Sequence, residues 1–147
     1  GSGWVAMLAQ RIAKQYTNYQ VVNASISGDT TSGGLTRLPE LLRRYRPAVV
    51  VLELGANDAL RGLSLDMTET NLGEMAHAAH CIGAYVLIVG MQIPPNYGAA
   101  YTERFKQIFA NVAKKERTAL APFFLAGIAE DRTLFQSDGI HPNQQAH

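Results

Sequence analysis

Ala48-Val49-Val50-Val51-Leu52-Glu53-Leu54 is the stretch on which the fold turns. The run is almost continuously apolar, rich in β-branched residues, and ends at Gly55. A strand with one wet face alternates apolar and polar residues, whereas an unbroken run fits a parallel strand buried on both faces. Tyr85-Val86-Leu87-Ile88-Val89 repeats the pattern. Between the two, Leu72, Met75, Ala76, Ala79 and Ile82 recur at helical spacing, with a capping-box pattern at Asp66 and Glu69 and a stop at Gly83. Strand, helix and strand in that order make a βαβ unit.

Reading outward, Gln20 to Ser25 is a short β-branched strand that runs into the turn-forming Ser27-Gly28-Asp29-Thr30. Leu35, Leu38, Leu41, Leu42 and Tyr45 then mark a helix stopped by Arg46-Pro47, and Trp4, Val5, Leu8 and Ile12 mark a first helix upstream. Downstream come a loop from Gln92 to Gly98, a helix carrying Tyr101, Phe105, Ile108, Phe109 and Val112, and a short strand near Leu120-Ala121. This alternation predicts an α/β fold, a parallel sheet with helices on both faces, within a single domain over residues 1–147.

Composition narrows the classes. Apolar residues make up 47% and charged residues 17%, which excludes a disordered chain, and no apolar run is long enough to span a bilayer. The formal charge is +1, and only Arg43-Arg44 and Lys114-Lys115 pair basic residues, so no electrostatic footprint for nucleic acid is present. The lone Cys81 cannot close an internal disulfide and is expected to be a small buried residue.

In an open parallel sheet the site lies at the carboxyl ends of the strands. Three polar clusters qualify: Asn23 to Thr30, Gly55-Ala56-Asn57-Asp58, and Asp138-Gly139-Ile140-His141-Pro142-Asn143. Asp138 and His141 are spaced so that a carboxylate can hold an imidazole in one tautomer, half of a relay that activates a nucleophile. Asn57 offers a side-chain amide and Gly28 an unobstructed backbone N–H, both suited to a developing oxyanion. Singly, each pattern is a weak signal, and G-A-N-D after a strand is also the pattern of a turn whose Asn and Asp bond backbone.

Together and in this order, N-A-S-I-S-G-D-T, G-A-N-D and D-G-I-H-P-N resemble conserved blocks of the SGNH, or GDSL, hydrolases. The chain is most similar to the bacterial thioesterase/lysophospholipase and arylesterase group, and the likeness extends to Met91–Gly98 and to G-W-V-A-M-L near the start. The resemblance implies a flavodoxin-like three-layer α/β/α sandwich and Ser-His-Asp hydrolysis of acyl esters or thioesters without cofactor or metal. It implies that Gly28 and Asn57 are oxyanion donors, His141 the general base and then acid, and Asp138 its orienting partner. Ile93, Pro94 and Tyr97 would border the acyl-chain pocket. A monomer acting on a small-molecule ester or thioester in the periplasm or outside the cell is the corresponding expectation.

One block has no counterpart. The family's G-D-S-[LI], which follows a central first strand and supplies the nucleophile, is not found in these 147 residues. Gly28-Asp29-Thr30 belongs to the second block, and Ser25, Ser27 and Ser137 stand in no nucleophile elbow. Without a central strand its neighbours would be left with unpaired backbone groups, so the sequence is expected to be a fragment that lacks its first strand and its last helix. The alternative is an inactive fragment or a non-catalytic flavodoxin-like binding module. His77 and His80 are expected to be surface histidines, Glu53 a buried carboxylate bonded to loop N–H groups, and Asp29 and Asp58 loop-bracing acceptors.

Overall fold

Residues 21–23 and 29–123 are described by the computed structural model. They form β1 (Val21–Asn23), α1 (Thr31–Tyr45), β2 (Val49–Leu52), α2 (Ala56–Leu60), α3 (Leu65–Cys81), β3 (Tyr85–Val89), a 3₁₀ turn (Pro95–Tyr97), α4 (Ala99–Glu116) and β4 (Ala119–Ala121). The four strands pair in the order β1-β2-β3-β4, all parallel. Repeating one right-handed crossover in one direction places the connecting helices on the same face. Accordingly α3 packs between α1 and α4.

The strands behave as their apolar runs require. Val50, Leu52, Val86 and Ile88 join the core beneath the helices, with Leu38, Leu72, Met75, Phe105 and Phe109. Val49, Val51, Leu87 and Val89 alternate with them in sequence and are buried as well, so the sheet is shielded on both sides. The described helices cover only one of those sides. The helix expected around Trp4 to Ile12 lies outside the described residues.

Three expectations are corrected. First, no break opens in the sheet among the described residues: β1 bonds directly to β2, with Val21 opposite Val49, Val22 opposite Val50 and Asn23 opposite Val51. Parallel pairing needs only two free edges and matched spacing, and these two strands meet both conditions. Second, Asp66 and Glu69 do not cap α3. Ser64 does, its Oγ accepting from Met67 N at 3.2 Å, because the hydroxyl just ahead of the first turn reaches an orphan N–H. Both carboxylates turn instead to Arg104 of α4, each at 2.8 Å. Third, Cys81 is exposed rather than buried, since the last residue of α3 falls off its apolar stripe.

Candidate active site

Parallel strands put their carboxyl ends on one edge, where residues 29–30 and the segments following β2 and β3 lie. After β2, Gly55 takes φ +122, a left-handed conformation open to glycine, and a Cβ there would stand 3.1 Å from Phe109 Cζ. The chain can therefore turn tightly over the core. Part of the loop expected after β2 is helical: Ala56–Leu60 forms a short helix with Asn57 in its first turn.

Asn57 is half-buried, and its Nδ2 donates to the backbone oxygen of Asp29 at 3.3 Å. That contact joins the first and second polar clusters of the sequence across 28 residues. A side-chain amide has two N–H bonds, so one can fix the group while the other remains directed elsewhere.

Asp58, only 3% exposed, is the centre of a buried polar seam. Its Oδ1 accepts from Thr31 N at 2.8 Å, and its Oδ2 accepts from Thr31 Oγ1 and, at 2.7 Å, from Thr68 Oγ1. Asn71 Nδ2 donates to Thr31 Oγ1 at 3.1 Å. Asp29 in turn accepts from Thr30 N at 2.9 Å and pairs with Arg37. Asp29 thus braces the loop before α1, as the sequence suggested, whereas Asp58, expected to do the same, sits in α2 and ties the start of α1 to α3. Glu53 is buried as expected.

After β3, Ile93 is buried, and Pro94 and Tyr97 are exposed. Tyr97 stacks on Tyr101 with ring centroids 6.3 Å apart, and the Tyr101 hydroxyl donates to Ala59 O at 3.0 Å. This chain of contacts ties the third loop to the helix that carries Asn57. A groove of about 390 Å³ opens at the carboxyl end of β3, between α4 and β4, with Met91, Phe109, Leu120 and Phe123 in its wall. Ile93, Pro94 and Tyr97 are not part of that wall.

Gly28, Asp138 and His141 lie outside the described residues, as do Ser25, Ser27 and Ser137. Of the sequence-predicted set, the structure therefore places Asn57 at the shared edge and brings Tyr97 to the far end of its helix. Thr31, Thr68 and Asn71 were not singled out in the sequence. The available signal was periodic: Thr68 and Asn71 precede Leu72 by four and one positions, on the stripe that Leu72, Met75 and Ala79 bury. Polar residues on an apolar stripe mark a buried network.

His77 is exposed, 3.8 Å from a Glu116 oxygen and 3.5 Å from Cys81 Sγ. Among the described residues no three His, Cys, Asp or Glu side chains gather to hold a metal, and no helix is long and apolar enough to cross a membrane.

Comparison with known proteins adds the following. The model of the GDSL-like Lipase/Acylhydrolase family matches residues 1–147. The chain is 53% identical over 140 residues to Esterase TesA of Pseudomonas aeruginosa, covering 95% of this chain and 70% of that protein. It is 40% identical over 145 residues to Thioesterase 1/protease 1/lysophospholipase L1 of Escherichia coli K12, covering 99% of this chain and 68% of that protein. The crystal structure of TesA superposes with a TM-score of 0.70 at 52% identity, covering 99% of this chain and 81% of that one.

Proposed function

The chain belongs to the GDSL-like lipase/acylhydrolase family, and from that premise we propose that it bears the oxyanion donors and the acid–base pair of a serine ester and thioester hydrolase. The observation that carries this reading is the Asn57 amide at the carboxyl edge of the sheet, which donates one N–H to Asp29 O and has no partner for the second among the described residues. A donor fixed before the reaction costs nothing to reorganise when negative charge develops on the substrate oxygen.

In this reading a serine Oγ attacks the acyl carbonyl and His141 takes its proton, with Asp138 holding the imidazole and balancing the imidazolium. The carbonyl oxygen becomes an oxyanion between Gly28 N–H and Asn57 Nδ2. Collapse of the tetrahedral species expels an alkoxide or thiolate, which leaves with the proton from His141. Water activated by the same imidazole then hydrolyses the acyl-serine. The names of the relatives, an esterase and a thioesterase/lysophospholipase, support acyl esters and thioesters as the substrate class. Ile93, Pro94 and Tyr97 border the acyl group, and the intact protein works as a monomer in the periplasm or outside the cell.

The nucleophile is assigned to a G-D-S-[LI] block encoded outside these 147 residues. A fluorophosphonate probe tests the assignment. The 147-residue chain should remain unlabelled, and the product of the gene with its adjoining sequence should be labelled on one serine within that block. Labelling of Ser25, Ser27 or Ser137 would overturn the assignment, and a gene product that takes no label would favour a non-catalytic binding module.

A further inference from the structure

We infer that Thr68, a residue of α3 that lies outside every recognised block, sets the position of the Asn57 side chain through Asp58. The inference rests on the reading of Asn57 as an oxyanion donor.

Asn57 has a single described side-chain bond, to Asp29 O, and at 3.3 Å it is long for an N–H···O contact. Such a bond restrains the amide but sets its position only in part. The rest must come from the backbone of α2, and the neighbouring Asp58 supplies the anchor. Its carboxylate accepts from Thr31 and Thr68 at the centre of the seam and is almost wholly buried.

The seam has a direction. Asn71 Nδ2 donates to Thr31 Oγ1, so that hydroxyl turns its own proton to Asp58. Thr68 Oγ1 has one proton and two neighbours, Asp58 Oδ2 at 2.7 Å and Ser64 O at 3.0 Å. The carboxylate is both nearer and the stronger acceptor, so the proton goes to it. Donors from α3 and from the start of α1 therefore converge on one carboxyl group.

The consequence reaches both sides of the Asn57 amide. Asp58 adjoins Asn57 in the chain, and Thr31 stands two residues after the Asp29 whose carbonyl oxygen receives the Asn57 N–H. Moving α3 relative to the sheet edge would shift the amide and its acceptor differently. Thr68 is thus a positioning residue, acting through Asp58, and not a catalytic one.

Two substitutions separate this from simple stability. Thr68→Val keeps the side chain's shape and removes its donor, and Thr68→Ser keeps the donor. In the 147-residue chain, amide exchange by NMR should quicken at Thr31 by about tenfold or more in Thr68→Val, with the Asn57 side-chain amide protons shifted. The Val86, Leu87 and Ile88 amides of β3 should hold their rates, and Thr68→Ser should restore the original pattern at both places.

In the serine-bearing gene product, Thr68→Val should lower kcat about tenfold with KM within about twofold, the signature of a misplaced transition-state donor. Unchanged exchange at Thr31, or an equal rise in β3, would overturn the inference. So would an unaltered kcat in Thr68→Val where Asn57→Ala loses activity. If exchange changes as expected but Asn57→Ala keeps full kcat, the seam stands and the oxyanion reading fails.

Discussion

The proposed function gives the two N–H groups of the Asn57 amide different tasks, and a single substitution tests it. One donates to Asp29 O, and in the proposed reading the other meets the substrate oxygen. Removing a preorganised oxyanion donor costs about 10²–10³ in kcat, because the missing hydrogen bond forms fully only in the transition state. Asn57→Ala in the serine-bearing gene product should therefore lose kcat by about that factor with little change in KM, measured by steady-state hydrolysis of a p-nitrophenyl ester. A parallel fall in kcat and rise in KM would point to collapse of the α2 turn instead. Sequence alone marked Asn57 by type and place, but not the bond that holds it, since its acceptor is 28 residues away.

Between elements, the comparison that matters is between the charged contacts and the close approach of backbones. Arg104 of α4 reaches Asp66 and Glu69 of α3, and these hydrogen bonds raise its pKa above the usual guanidinium value. Asp66 is 91% exposed, so water and salt screen the contact. Arg104→Ala should cost no more than about 1 kcal/mol in urea unfolding and less at high salt. Gly34 is a different case. A Cβ there would stand 2.5 Å from Leu54 Cδ1 and 3.3 Å from Met75 Sδ, where α1 meets the end of β2 and the middle of α3. Leu54 and Met75 are both buried and cannot swing aside freely. Gly34→Val should destabilise by about 1–3 kcal/mol, seen as a lower urea midpoint at unchanged slope. The use of this glycine became visible only when the two elements met.

At the scale of the molecule, the sheet is held by what lies beneath the helices. Phe105 is fully buried and meets Phe109 edge to face with centroids 5.2 Å apart. Phe105→Ala should cost about 3–5 kcal/mol in urea unfolding, several times the effect of the Arg104 pair, because it opens a cavity under both Gly55 and α4. Such a loss is a large part of a typical domain's stability of about 5–15 kcal/mol. The unbroken runs at 48–54 and 85–89 determined the buried parallel strands, the periodic leucines and aromatics determined the three long helices, and the ordered polar blocks determined the family. These are properties of spacing and residue type, which local backbone geometry converts directly into faces and edges. Tertiary structure alone decided that β1 pairs with β2 and that Thr31, Thr68 and Asn71 converge on Asp58. Each of those depends on which distant atoms arrive within hydrogen-bond reach, and that is fixed only when the helices close over the sheet.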